Sequence, residues 1–237
     1  MNKITLTTLL AISIVACSDQ NPDKPTVTPS KGTKSKINLQ VREFVQQDSS
    51  NYILFPLSAG ENINSEGLIE SSREYKDMAN DSWNIIFYNS KTGEQHLLDE
   101  NKKMLIHSYG KNSYGREQAY VKDKIFYNIT AVDYNGDNKF DYSDPSYLFI
   151  SDLDGHHFRQ LSPDNYNLVS WELVKNTNTI LMILVKDSNN DKKFDDKDEK
   201  VAMSIDFTTN APAKEIFSGE FKDKLKELFD KNWKRKK

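Results

Sequence analysis

The sequence predicts an all-β body followed by one C-terminal amphipathic helix. From residue 37 onward, apolar runs of strand length alternate with turn signals, whereas only residues 218–237 repeat apolar side chains with a helical period. With 11 tyrosines, 12 phenylalanines and only 9 glycines, the chain has the composition of a folded protein. Its 237 residues suit a single body, or one built from repeats.

The net charge argues against one class of protein, and the cysteine content excludes one kind of cross-link. The formal net charge is -3 at pH 7, which argues against a general nucleic-acid binder, since such proteins carry a basic stripe or a high pI. A single cysteine, Cys17, excludes an intramolecular disulfide.

The N-terminus is predicted to be an export signal, residues 1–16. A basic start at Lys3 precedes an apolar run over residues 4–16, which is too short to cross a bilayer of about 30 Å as a helix. The junction reads Ile-Val-Ala-Cys and resembles the lipobox of bacterial lipoproteins. The resemblance implies that Cys17 becomes the acylated first residue and anchors the protein in a membrane. A plain cleaved signal is the alternative.

The resemblance also bears on location. Ser18 stands where an Asp would retain an enteric lipoprotein in the inner membrane, which favours an outer-membrane position in the cell envelope, facing the periplasm or the cell surface. Residues 17–36 contain three prolines and no aromatic residue, so we expect a flexible tether.

The body, residues 37–218, is predicted to consist of antiparallel strands in about three four-stranded repeats. The candidate strands are 52–57, 83–89, 95–98, 104–108, 125–132, 147–151, 158–161, 168–174, 179–186, 201–207 and 214–217. The acidic segment 133–144 lies 54 residues before a second one, 187–198, and each follows a long apolar strand. Residues 85–98 match 147–161 more weakly. These spacings indicate a structural repeat.

One repeat has a recognisable pattern. Residues 147–164, YLFISDLDGHHFRQLSPD, resemble the repeat of TolB-type β-propellers, in which two strands and an Asp-Gly hairpin form the outer part of a blade. The resemblance implies a propeller-like body. Closed propellers have four to eight blades, so either residues 37–80 contain a further blade or the sheets form an open stack.

The two acidic segments are candidate calcium loops of 12 residues each. Both place oxygen-bearing side chains at positions 1, 3, 5, 9 and 12, and a hard cation such as Ca²⁺ takes six or more oxygen ligands. The predicted ligands, including a main-chain carbonyl at position 7, are Asp133, Asn135, Asp137, Lys139, Asp141 and Asp144 in the first loop and Asp187, Asn189, Asp191, Lys193, Asp195 and Asp198 in the second. Turns rich in Asp and Asn are the alternative.

The spacing resembles the EF-hand calcium loop, particularly its dockerin form. That resemblance implies two calcium sites and a positive φ at position 6, which is Asn138 in one loop and Lys192 in the other instead of Gly. Position 12 is Asp rather than the longer Glu. Position 8 is Phe140 or Phe194, which we expect to fix each loop to the body. Strands replace the flanking helices, so the loops are expected to hold strands together.

The tail, residues 219–237, is predicted to be an amphipathic helix with Ser218 as its N-cap. One face carries the apolar side chains Phe221, Leu225, Leu228, Phe229 and Trp233. We expect this face to pack over the last sheet; contact with an anionic lipid surface is the alternative.

These features predict a lipid-anchored envelope protein with two structural calcium ions that binds another envelope protein or polymer. The alternatives are an envelope hydrolase with a metal-assisted site and a calcium-responsive sensor. No catalytic motif supports an enzyme: the four histidines, His96, His107, His156 and His157, form no H-E-x-x-H pattern, and no G-x-S-x-G or P-loop occurs. We expect His156 and His157 to lie on a solvated hairpin rather than on a metal.

Overall fold

The computed structural model describes residues 40–46, 50–58, 81–110 and 123–233. The predicted export signal, Cys17 and the tether lie outside these residues. The described elements, in chain order, are β1 Val45–Gln46, β2 Tyr52–Ser58, β3 Ser82–Asn89, β4 Gln95–Leu97, β5 Leu105–Tyr109, β6 Lys124–Thr130, β7 Ser146–Asp152, β8 Arg159–Gln160, β9 Tyr166–Leu173, β10 Thr179–Lys186, β11 Glu199–Asp206, β12 Lys214–Glu215 and α1 Gly219–Asn232.

The all-β prediction is confirmed. Each predicted strand has a counterpart whose ends differ by a few residues, and among the described strands only the two-residue β1 was not predicted. Every strand pairing is antiparallel. The matched segments 85–98 and 147–161 are both hairpins, β3–β4 and β7–β8.

The strands form three successive meanders, in which each strand pairs with the next along the chain. The first unit is β1–β4, the second β5–β8 and the third β9–β12. In the part of the chain that the structure describes, one bridge, Ser82 to Ile106, joins the first two units into an eight-stranded sheet, while the third unit is a separate four-stranded sheet. Within the described residues the sheets do not close into a ring.

The second unit lies between two apolar cores. Alternate residues of β6 point to opposite faces, as the two-residue period of a strand requires. Ile125, Tyr127 and Ile129 join the core shared with the first unit, whereas Phe126 joins the core shared with the third. Burial on both faces explains why β6 and β7 are nearly continuous apolar runs in the sequence. The second unit therefore contributes side chains to both cores, one on each of its faces.

Helix α1 begins as predicted but does not pack as predicted. The Ser218 hydroxyl accepts a hydrogen bond from the N–H of Phe221 at 3.2 Å, which is the expected N-cap. None of the helix residues is buried: its apolar side chains are 44% to 56% exposed, and Trp233 at its C-cap is 71% exposed. The expected packing over the last sheet is therefore wrong. Lys222, which bonds Glu199 and Glu215, ties the first turn to the third unit. No helix in the described residues is long and apolar enough to span a membrane.

Candidate metal centres

The two acidic loops occupy equivalent places in neighbouring units. The loop of residues 133–144 connects β6 to β7, and the loop of residues 187–198 connects β10 to β11. In each unit these are the second and third strands of the meander. The structure therefore places the two candidate sites at corresponding positions of the second and third units.

The carboxylates at position 1 share one hydrogen bond, although Asp133 Oδ1 also accepts from the N–H groups of Gly136 and Asp137, which have no counterpart at Asp187. Asp133 Oδ2 accepts a hydrogen bond from the N–H of Asn138 at 2.8 Å, and Asp187 Oδ2 accepts one from the N–H of Lys192 at 3.1 Å. These donors stand at position 6, where φ is +66° for Asn138 and +61° for Lys192. The positive φ that the sequence predicted at position 6 is present in both loops.

The carboxylate at position 12 closes each loop. Asp144 accepts from the N–H groups of positions 2 and 9 at 2.9 and 3.3 Å. Asp198 accepts from the equivalent groups at 2.9 and 3.1 Å. The last residue of each loop is thereby tied to its beginning and to its middle.

The side-chain oxygens at positions 3, 5 and 9 each accept from the N–H two residues further on. The pairs are Asn135 with Asp137 (2.8 Å), Asp137 with Lys139 (2.8 Å), Asp141 with Ser143 (2.7 Å), Asn189 with Asp191 (2.8 Å), Asp191 with Lys193 (3.0 Å) and Asp195 with Lys197 (2.8 Å). These bonds are Asx turns, and they give the two loops one backbone path. Within the described residues, no group of three or more His, Cys, Asp or Glu side chains is gathered closely enough to hold a metal ion.

The loops differ in burial. In the first loop Asp141 and Asp144 are buried, whereas in the second loop Asp195 is exposed and Asp198 half-buried. Burial raises the pKa of Asp144 above its ordinary value, against the opposing effect of hydrogen bonds from backbone N–H groups, and the nearby charge of Asp141 raises it further. A cation beside these carboxylates would stabilise their ionised forms.

Asp187 is the most unusual of the predicted ligands. The residue is only 7% exposed, and its Oδ1 atom is buried without a hydrogen-bond partner, although Oδ2 accepts from Lys192 and from the hydroxyl of Tyr134. A buried carboxylate oxygen that lacks a partner is costly, on the order of 1–3 kcal/mol or more for a charged group. Coordination to a cation would remove this cost.

The loops touch each other, which the sequence did not predict. The hydroxyl of Tyr134, at position 2 of the first loop, donates to Asp187 Oδ2 at 3.0 Å. The Tyr134 ring also packs against Phe194, at position 8 of the second loop, with 5.2 Å between the ring centroids. Burial, the hydrogen bond to Asp187 and the negative charge nearby raise the pKa of Tyr134 above its ordinary value.

The phenylalanines at position 8 make different contacts. Phe140 lies beneath the ammonium of Lys103, with 4.2 Å from Nζ to the ring centroid, so it contacts the segment between β4 and β5. Phe194 contacts the first loop through Tyr134. A link to a neighbouring loop cannot be read from spacing within either segment.

A second polar cluster, also missed from the sequence, lies between the first two units. His107 is placed between Asp81 and Thr130, at 3.0 Å from Nδ1 to Asp81 Oδ2 and 2.9 Å from Nε2 to Thr130 Oγ1. Thr130 is fully buried, so its hydroxyl cannot meet a substrate in this arrangement. Tyr142, at position 10 of the first loop, donates to Asp81 at 3.1 Å. The cluster thus ties the first loop to the first unit.

Two of the remaining three histidines lie at the β7–β8 turn, and the third, His96, lies in β4. His156 and His157 are exposed, as expected of a solvated hairpin. The His157 Nδ1 atom lies 2.7 Å from Asp152 Oδ2, and the His156 ring stacks on His96 with 4.6 Å between centroids.

Comparisons of the chain with protein-family models, with curated proteins and with solved structures find no match. The functional argument therefore depends on the geometry of the loops and on the sequence.

Proposed function

We propose that this chain is a lipid-anchored, calcium-binding protein of the cell envelope, whose β body acts as a binding scaffold and whose two ions are structural. The loop geometry is the observation that supports calcium most strongly. Two loops 54 residues apart share the hydrogen bond from position 6 to position 1 and a positive φ at position 6, and Asp187 Oδ1 is buried without a partner.

Calcium is the cation that fits this donor set best. All predicted ligands are oxygens, from Asp and Asn side chains and from the carbonyls of Lys139 and Lys193. Ca²⁺ takes six to eight oxygens at about 2.3 to 2.6 Å and tolerates irregular geometry, whereas zinc prefers nitrogen and sulfur. Binding requires that the carboxylate oxygens turn from the backbone N–H groups towards a common point.

The ions would stabilise the two connections, β6–β7 and β10–β11, in which the chain reverses direction between paired strands. Each loop holds at least four aspartates, and a divalent cation offsets their mutual repulsion. An ion that binds only the folded state adds about 2.7 kcal/mol to the free energy of unfolding at a hundred times its Kd.

The fold supports a propeller-like scaffold. Three four-stranded meanders pack face to face through two shared cores, as successive propeller blades do, and the stack is open within the described residues. The anchor is proposed from the sequence alone: acylated Cys17 and the tether of residues 17–36 would hold the body near the outer membrane, where it would bind another envelope protein or polymer.

Thermal unfolding tests the calcium proposal. We expect the purified chain to melt at a higher temperature in millimolar Ca²⁺ than in chelator, because calcium binds the folded state. Asp187→Asn should reduce the calcium-dependent increase, since it removes a charged ligand. Asp206→Asn makes the same chemical change outside both loops, at the end of β11, and should preserve the increase.

Equal melting temperatures of the unsubstituted chain in calcium and in chelator would contradict the proposal. So would a calorimetric titration that shows no heat with millimolar calcium. An equal response to Mg²⁺ would indicate general screening of the acidic loops instead of a calcium site.

A further inference from the structure

We propose that helix α1 binds an anionic lipid surface and lies in the plane of that surface, with its apolar face in the lipid and its flanking lysines at the headgroups. This contact goes beyond the scaffold function. It requires neither calcium in the acidic loops nor acylation of Cys17.

The apolar face of α1 is accessible along the helix. Its side chains within the helix are 44% to 56% exposed and are Phe221, Leu225, Leu228 and Phe229. Trp233, at the C-cap, is 71% exposed. In the described residues, Lys222 of the first turn is the helix side chain that bonds the β body, through Glu199 and Glu215. The later turns therefore keep their apolar side chains available to a partner.

The charged side chains of α1 form two zones around the helix. With 3.6 residues per turn, Lys224, Lys226 and Lys231 lie roughly 85 to 115° from the centre of the apolar face, two on one flank and one on the other. The acidic side chains lie further round, roughly 125 to 175° from that centre, and are Glu220, Asp223, Glu227 and Asp230. Lysines therefore border the apolar face on both flanks, and carboxylates occupy the opposite side.

This order of charges fits a flat anionic layer. A helix that lies in a membrane interface buries its apolar face at the headgroup boundary, so the headgroups meet both of its flanks at the same depth. Lysine side chains on those flanks can extend their long stems over the apolar boundary and place their ammonium groups at the phosphates. The carboxylates face water, away from charge of their own sign.

The end of the helix has the same preference. Trp233 combines a large apolar ring with one N–H donor, which suits it to the boundary between lipid and water. Residues 234–237 follow it in the sequence as Lys-Arg-Lys-Lys and add four positive charges. Basic residues close to an anionic membrane strengthen its binding.

A second copy of α1 fits the charge pattern less well. When two helices pair through their apolar faces, the residues that flank one face meet the residues that flank the other. Both flanks of α1 carry lysine, so a pair would bring like charges together. The placement of the charges, rather than the apolar spacing, therefore favours lipid as the occupant.

Tryptophan fluorescence with vesicles tests the proposal. We use the full chain with Cys17→Ser, which cannot be acylated, in chelator. Vesicles of phosphatidylcholine mixed with phosphatidylglycerol should shift its emission to shorter wavelength, and brominated lipid should quench it, because the Trp233 indole moves from water into the interface. Phosphatidylcholine vesicles should bind α1 at least tenfold more weakly. Trp233→Phe should abolish both signals, and residues 1–16, which contain no tryptophan, cannot produce them.

Two pairs of variants separate the apolar face from the lysines. Leu225→Gln with Leu228→Gln should abolish the quenching, whereas Leu181→Gln with Ile183→Gln, at similarly exposed positions of β10, should preserve it. Lys224→Gln with Lys231→Gln should lower the affinity for the anionic vesicles about tenfold. Lys175→Gln with Lys200→Gln removes two exposed lysines of the body and should leave the affinity unchanged. Circular dichroism checks that each variant is folded.

Each contrary result has a distinct meaning. An emission spectrum that the anionic vesicles leave unchanged would overturn the proposal. Equal binding to both kinds of vesicle would overturn the role of the lysines and of anionic lipid. A shift that appears without vesicles and grows with protein concentration would overturn it in favour of a second copy. Because chelator is present throughout, failure of the calcium proposal would not affect these results.

Discussion

Lys192 occupies a backbone conformation that is unfavourable for its residue type. Its φ of +61° lies in the left-handed region, which costs a residue with a Cβ roughly 1–2 kcal/mol. Asn138 has nearly the same φ at the equivalent position of the first loop, but Asn tolerates this region well. In this strained conformation the Lys192 N–H donates the hydrogen bond to Asp187 that links positions 6 and 1 of the second loop.

Lys192→Gly is therefore expected to stabilise the protein by about 0.5 kcal/mol, because relief of the strain exceeds the additional entropy of glycine in the unfolded chain. The substitution also removes a positive charge from the second loop, so calcium should bind more tightly. Urea unfolding in chelator measures the first effect and a calcium titration the second. Asn138→Gly is the control, and an equal gain from both substitutions would contradict the argument.

At the scale of residues, the sequence predicts what depends on local spacing. The oxygen positions of each loop follow from a 12-residue pattern, whereas the positive φ at position 6 was implied only by the resemblance of that pattern to a known loop, and the structure has that φ in both loops. The bond from Tyr134 to Asp187 and the position of His107 between Asp81 and Thr130 could not be predicted, because each joins residues of different units. Such contacts depend on how the sheets stack.

Two hairpins at equivalent positions differ in their surroundings. Gly155 in the β7–β8 turn and Gly93 in the β3–β4 turn both have positive φ, +85° and +77°. A Cβ added to Gly155 would lie 2.7 Å from the ring of Phe87, which is fully buried, whereas a Cβ on Gly93 would meet nothing within 4 Å. The β7–β8 turn of the second unit is thus packed against Phe87 of the first unit, whereas the space beside Gly93 in the β3–β4 turn is open.

Gly155→Ala should destabilise the protein by about 2 to 4 kcal/mol, because the backbone penalty is added to an overlap with a side chain that cannot move freely. Gly93→Ala incurs only the backbone penalty, about 1 kcal/mol. Chemical denaturation of the two variants measures both values. If they prove equal, the turn of the second unit is not packed against Phe87 in solution.

At the scale of elements, strands were easier to predict than packing. Alternating and continuous apolar runs placed the strands from β2 to β12 within a few residues, because burial on one face or on two leaves different patterns. The apolar face of α1 predicted a partner, yet the helix is exposed along its length. An amphipathic pattern specifies that a helix has an apolar side, but it carries no information on what covers that side.

The stability of both apolar cores depends on the second unit, because each core is built on one of its two faces. Leu148 and Ile129 are fully buried and belong to opposite cores, Leu148 to the one shared with the third unit and Ile129 to the one shared with the first. Loss of either core would expose one face of β6 and β7. The first and third units should therefore not unfold independently.

We expect Leu148→Ala and Ile129→Ala each to cost about 2–5 kcal/mol, the usual range for truncation of a large buried aliphatic side chain. Because the second unit joins the two cores, either variant should shift a single unfolding transition as a whole. Scanning calorimetry measures this, with a van't Hoff enthalpy equal to the calorimetric one. Two transitions, of which each variant shifts only one, would show that the cores unfold separately and that the stack is a chain of independent sheets.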